Sequence, residues 1–259
     1  MNADRCGAAA VERALRAPKQ PGQPALVAFL TGGFPDLDRF AALLVETAAA
    51  ADLVEVGIPF RDPMADGVSI QRSSHAALNR GASLRRILDR IAGLDLAAPV
   101  LLMSYLNPLL AFGFDRLAAA CVEARVAGLV VPDLPFDEDG ALRAATAARG
   151  LAQVCLVTPL TPADRLRRSC EASSGFVYAV TVAGTTGTAI DADAAATYLD
   201  RVRAVASLPV CAGFGIRGAD DVARLRDHAD GLIVGTALVE AIERGESPTT
   251  FLDSLFTSR

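Results

Sequence analysis

Glu55 stands inside the apolar run Leu53-Val54-Glu55-Val56-Gly57-Ile58, and Asp66 follows on the glycine- and proline-bounded stretch 59–67. Taking an ionised carboxylate out of water is costly, so a glutamate in such a run keeps its proton to a higher pH than usual. That suits a proton donor near neutrality. Asp66 lies on a loop, where water or hydrogen bonds keep a carboxylate ionised and basic. Two carboxyls in contrasting surroundings are what acid–base catalysis needs. The alternative for Glu55 is a structural ion-pair partner.

What is scarce narrows the chemistry further. Lys19 is the only lysine of the 259 residues, and it sits in a Pro/Gln-rich stretch ahead of the first apolar run. Schiff-base chemistry needs a lysine in the site, and Lys19 is badly placed for that. His75 and His228 are the only histidines and have no matching ligand cluster, which argues against a catalytic zinc. Five cysteines without a C-x-x-C pair read as reduced, packed thiols. The net charge of -5 and the lack of a basic patch argue against a nucleic-acid binder. No apolar run reaches membrane-spanning length, and the N-terminus lacks an apolar signal core, so the expected location is the cytoplasm. No metal and no cofactor of its own is expected.

Something must hold the two carboxyls together. Val-, Leu- and Ile-rich runs predict strands at 25–31, 53–57, 100–105, 128–132, 152–158, 175–181, 209–213 and 231–235. Helical patterning fills the intervals at 36–51, 84–94, 115–126, 161–172, 192–205 and 218–228, with further helices at 8–15 and 250–256. Thr161-Pro162 reads as an N-cap followed by proline at the first helical position. Eight βα units in one rhythm predict an α/β fold, a single (β/α)8 TIM barrel over 1–259 with an extra N-terminal helix. The competitor is an open doubly wound sheet, weakened because no G-x-G-x-x-G opens a helix after the first strand. Barrel chemistry lies at the C-terminal strand ends, where Asp66 falls. Strand alternation puts Leu53, Glu55 and Gly57 on one face, the one expected toward the barrel axis.

Three glycine-rich turns end the last strands: Ala183-Gly184-Thr185-Thr186-Gly187-Thr188, Gly213-Phe214-Gly215-Ile216-Arg217 and Gly235-Thr236-Ala237. Those after strands seven and eight fit a phosphate cradle, because glycine lets backbone N–H groups approach the oxygens; plain turn chemistry is the other reading. Arg217 is either an added anion contact or an exposed helix-start arginine. The threonine-rich segment 181–191 is either a lid over substrate or a surface loop.

On these residues the chain resembles the tryptophan synthase alpha subunit family over about residues 25–243. The strongest match is Glu55-Val56-Gly57-Ile58-Pro59-Phe60-Arg61-Asp62-Pro63-Met64-Ala65-Asp66-Gly67, close to the family's signature. Met103-Ser104-Tyr105-Leu106-Asn107-Pro108, Pro132-Asp133-Leu134-Pro135 and the three glycine turns match in order and spacing. The resemblance implies retro-aldol cleavage of indole-3-glycerol phosphate to indole and glyceraldehyde 3-phosphate, in tryptophan biosynthesis. It makes Glu55 the acid–base residue at indole C3 and the glycerol hydroxyl, and Asp66 the carboxylate at the indole N–H. It places Tyr178 beside the acid and Thr186 on the lid as a partner of the aspartate. Phe29, Tyr105, Leu134 and Phe214 become indole-pocket walls, and Gly187, Gly215, Gly235 and Thr236 the phosphate cradle. The implied partner is a beta subunit, in an alpha2beta2 complex, that carries its own pyridoxal phosphate. Asp62, Asn107, Asp133 and Pro135 fall in the family's contact regions, beside the apolar segment 105–112. Arg61, Val68, Val182, Thr185 and Thr236 depart from the family's usual residues.

Overall fold

A computed structural model describes residues 6–181, 192–213 and 215–257. The branched apolar runs become short parallel strands buried on both faces: β1 (Ala25–Thr31), β2 (Leu53–Gly57), β3 (Val100–Met103), β4 (Gly128–Val130), β5 (Ala152–Val157), β6 (Val177–Val180), β7 (Val210–Gly213) and β8 (Gly231–Val234). Each pairs with the next in sequence, and β8 returns to pair with β1, so the sheet closes into a barrel. The (β/α)8 expectation holds and the open sheet is excluded.

The surrounding helices are α1 (Ala8–Arg16), α2 (Leu37–Ala50), α3 (Val68–Asn79), α4 (Leu84–Ala92), α5 (Leu106–Phe112), α6 (Phe114–Glu123), α7 (Gly140–Ala147), α8 (Ala163–Ala172), α9 (Ala192–Arg203), α10 (Ala219–Leu225), α11 (Thr236–Glu243) and α12 (Pro248–Ser254). Their apolar stripes face the outer surface of the barrel. In α4 the buried residues are Leu84, Ile87, Leu88 and Ile91, the i, i+3, i+4, i+7 set. They share one core with the outward strand residues Val54, Val56, Val100 and Leu102. A second cluster fills the barrel itself, with Val27, Leu53, Leu101, Val154, Cys211 and Ile233 pointing inward. Val11 and Leu15 of α1 belong to that inner cluster, so the N-terminal helix packs against the barrel's interior residues.

Local chemistry sets several boundaries. Asp36 is the cap of α2 and not its first residue, its carboxylate accepting from the N–H groups of Asp38 and Arg39. Lys19 closes the other end of that helix, its ammonium donating to the carbonyls of Ala48, Ala49 and Ala51. The lone lysine is thus a structural clasp. The expected Thr161 cap of α8 is not formed. The Thr161 hydroxyl instead accepts from the Thr158 N–H at 2.9 Å, closing a turn ahead of the helix, and Pro162 takes the cap position. No helix among the described residues is long and apolar enough to cross a membrane.

Candidate active site

Strand alternation carries Glu55 to the inner face of β2, in register with Phe29 of β1 and Leu101 of β3. The side chain is fully buried, and neither carboxyl oxygen has a hydrogen-bond partner among the described residues. The structural ion-pair reading is therefore excluded. Burial alone pushes the Glu55 carboxyl up to about 8 from its usual 4.5. Near neutral pH this favours the protonated acid. Tyr178 and Cys211 flank it closely enough that its charge would hold their protons more firmly, and burial pushes both in the same direction.

Asp66 reaches the same cleft from the loop after β2. Burial raises its carboxyl to about 6, opposed by a hydrogen bond from Tyr105. The Tyr105 hydroxyl also accepts from the Ala65 N–H at 2.9 Å, and Gln71 donates to the Asp66 carbonyl at 2.8 Å. The aspartate loop is tied on both sides of the carboxylate. Asp66 is less exposed to water than its loop position suggests, yet burial raises its carboxyl less, to about 6 against about 8 for Glu55. The contrast expected from the sequence is present, with both values displaced upward.

The cleft is lined by Phe29, Glu55, Ala65, Asp66, Ile70, Met103, Pro132, Leu156, Tyr178, Gly215, Ile216, Arg217, Ile233, Gly235 and Thr236. Its mostly apolar wall with few polar groups suits a small aromatic ligand. Two glycines make room for the rings. A Cβ on Gly57 would collide with the Phe29 ring, and one on Gly213 with the Tyr178 ring. Gly215 adopts φ 84°, a left-handed conformation that glycine reaches without strain. At the far side, Gly235 precedes α11, whose start at Thr236 has no side-chain cap. Its first N–H groups are donors for an anion.

Of the residues singled out from the sequence, Glu55, Asp66, Tyr178, Phe29, Gly215, Gly235 and Thr236 line one cleft. Tyr105 and Leu134, expected as walls, do not line it. Tyr105 stacks against Phe60 with ring centroids 5.4 Å apart and turns its hydroxyl to the Asp66 loop, so it supports the aspartate from behind. Leu134 packs against the core outside the barrel. Thr186, Gly187 and Phe214, together with the lid segment, lie outside the described residues. Asp62, Asn107, Asp133 and Pro135 are all exposed on the rim after β2, β3 and β4. The Asp133 carboxylate accepts from the Leu106 N–H at 2.9 Å where α5 begins. Ile70, Met103, Leu156 and Ile233 are wall residues that sequence reasoning missed. Strand parity could have found the last three, which share inward positions with Glu55 and Tyr178.

Comparison with known proteins agrees with this architecture. The family model described as tryptophan synthase alpha chain matches residues 15–257. The tryptophan synthase alpha chain of Nitratidesulfovibrio vulgaris is 42% identical over 250 residues, covering 95% of this chain and 97% of that one. That of Xanthomonas euvesicatoria is 43% identical over 227 residues, covering 85% of each. Among solved structures, Mycobacterium tuberculosis tryptophan synthase superposes with a TM-score of 0.88 at 34% identity, covering 95% of this chain and 96% of the other. A chain of the a2b2 complex from Pyrococcus furiosus gives 0.83 at 32% identity, covering 90% and 98%. By fold, signature loop and near-complete alignment, this chain belongs to the tryptophan synthase alpha chain family.

Proposed function

We propose that the chain is a carbon–carbon lyase that cleaves indole-3-glycerol phosphate into indole and glyceraldehyde 3-phosphate and passes the indole to a beta subunit. The observation that carries this reading is the fully buried Glu55 carboxyl, its proton held by burial, sharing a cleft with Asp66 and the start of α11. Phosphate at the α11 N-terminus leaves the indole ring among Phe29, Ile70, Met103, Leu156 and Tyr178. Glu55 donates its proton to indole C3, and the ring becomes an iminium with positive charge at nitrogen. Asp66, ionised, stabilises that N–H. The resulting Glu55 carboxylate then takes the proton of the glycerol hydroxyl next to the ring. The aldehyde C=O forms, the carbon–carbon bond breaks, and its electron pair returns to the ring. Glu55 ends protonated, so the cycle closes with no lysine imine.

Partnership with a beta subunit rests on the rim. Met64 is 76% exposed and Leu160 79%, on the loops after β2 and β5, and Leu110 is 53% exposed on α5 after β3, at the same end of the barrel as Asp62, Asn107, Asp133 and Pro135. Large apolar side chains left in water together mark a protein-binding face. The complex described for the Pyrococcus furiosus relative is a2b2, and the same assembly is proposed here. Cytoplasmic residence belongs to the same reading, supported by five free cysteines, four of them buried.

The direct test is indole release from indole-3-glycerol phosphate, with and without an added beta subunit. No indole under either condition would end the proposal. Two further outcomes are expected. The pH profile of kcat/KM should be a bell, rising as Asp66 ionises through about 6 and falling as Glu55 loses its proton through about 8. A profile flat from pH 5 to 9 would contradict the assigned pair. The second concerns the cradle. A Cβ on Gly235 would lie 3.5 Å from Phe29, an ordinary contact, so the fold tolerates a side chain there. Gly235→Ala should therefore leave the unfolding temperature close to the parent's and raise KM by narrowing the anion's space. Unchanged substrate binding would remove the phosphate from this end of the cleft.

A further inference from the structure

We infer that Glu240 is a positioning residue for the cleavage: from α11 it holds the first turn of α3, and through that turn the Asp66 loop. The inference rests on the proposed reaction above and deepens it. Two helices start at the cleft, α3 just after Asp66 and α11 at Thr236. Glycine stands at the cap position of both, Gly67 and Gly235, and supplies no side-chain cap. Without that local fixing, contacts with a neighbour decide where the first turn lies.

Each of the two helices is the other's neighbour. Ile70 of α3 and Val239 of α11 pack with Phe29 in one small buried cluster, and Ile70 and Phe29 line the cleft. Beside that cluster the Ser69 hydroxyl donates to Glu240 Oε1 at 2.7 Å, with Ser69 only 8% exposed. A carboxylate acceptor makes such a bond short and directional. The other oxygen, Glu240 Oε2, accepts from Arg217 Nη2 at 3.0 Å, so the carboxylate is itself held from the segment after β7. The first turn of α3 also carries Gln71, whose amide donates to the Asp66 carbonyl at 2.8 Å. Glu240 thus reaches the Asp66 loop through two hydrogen bonds and one helical turn. The same two helices are joined again by Arg72 and Glu243, but that pair is 54% and 21% exposed, where water screens it. It supplies the comparison that separates a general clamp between the helices from a device acting on Asp66.

The test follows the parent, Glu240→Ala, Ser69→Ala, Glu240→Gln and Arg72→Met, each with an added beta subunit. Glu240→Ala and Ser69→Ala should each lower kcat about tenfold by misplacing Asp66. The double variant should lose no more than Glu240→Ala, because both changes remove one shared contact. Glu240→Gln keeps an oxygen for the Ser69 hydroxyl and should recover most of the loss. Burial raises the Asp66 carboxyl, so a loosened loop that admits water should move the acidic limb of kcat/KM below about 6 and leave the basic limb in place. The ionisable groups acting with Asp66 are Tyr105 after β3 and Tyr178 on β6, with Glu55 and Arg217 on the same cleft wall, and all of them stay unsubstituted. A readout that needs no catalysis is hydrogen exchange at the Ala65 N–H, which donates to the Tyr105 hydroxyl. It should quicken about tenfold in Glu240→Ala and Ser69→Ala and stay at the parent rate in Arg72→Met. An unmoved acidic limb and unchanged exchange in Glu240→Ala, or the same changes in Arg72→Met, would overturn the inference. A parent that releases indole while Glu240→Ala keeps its limb and its exchange rate sinks only the positioning role. A parent that releases no indole sinks the reaction, and the exchange rates then decide the role of Glu240 by themselves.

Discussion

Glu55→Gln should abolish indole release, by about a thousandfold or more, while the barrel stays folded. The amide keeps the volume of the carboxyl, and no hydrogen bond is broken because neither Glu55 oxygen makes one among the described residues. What disappears is the transferable proton. The same substitution has a signature in stability. The folded state raises the Glu55 carboxyl from 4.5 to about 8, so folding takes up a proton between those values. The favourable contribution is fully present below the unfolded value near 4.5 and is lost as pH rises through about 8. Denaturant midpoints of the parent should therefore fall across that window, and those of Glu55→Gln should fall less. Retained indole release would remove the acid role. A parent midpoint with the same pH dependence as the variant's would show that the carboxyl is not held neutral by burial.

The signal that made Glu55 conspicuous is local: a charged residue where every neighbour is apolar. Such contrasts survive in a sequence because burial acts on each residue separately. The strands were legible for the same reason, β1 and β2 to the residue, since being buried on both faces leaves an unbroken branched apolar run. Helices whose packed face is not apolar were not. The buried side of α3 is Ser69, Ile70, Ser73, Ser74 and Ala77, which carries almost no hydrophobic stripe, and the helix was missed. α7 is alanine-rich, and α11 runs straight on from β8 with one glycine between, so neither shows a change of period. The omission of α11 mattered most, because its start lines the cleft and is the proposed site for the phosphate.

Contacts between distant segments were beyond reach. Tyr105 was expected as a wall because the family resemblance implied it. Its true placement depends on a hydrogen bond to Ala65, 40 positions away in the chain. The ion pair of Arg217 with Glu240, itself held by Ser69, joins three segments that no local pattern connects. The family resemblance supplied roles for residues but not these supports, which depend on how loops fold over one another.

Asp66→Asn should lower turnover by roughly three orders of magnitude, the second large effect expected. The asparagine retains an oxygen to accept from Tyr105, and the loop keeps its ties from Tyr105 to the Ala65 N–H and from Gln71 to the Asp66 carbonyl. The fold and KM should thus change little. The lost item is the negative charge that stabilises the iminium nitrogen once C3 is protonated, so the deficit should fall on kcat. The acidic limb of the pH profile, set by Asp66 at about 6, should vanish with it. Tyr105→Phe supplies the contrast. Its hydroxyl hydrogen bond holds the Asp66 carboxyl down against burial, so removing it should move the acidic limb to higher pH while leaving the basic limb in place. If Asp66→Asn lost less than tenfold in kcat, or kept the acidic limb, the aspartate would be a bystander and another group would have to meet the charge on the ring.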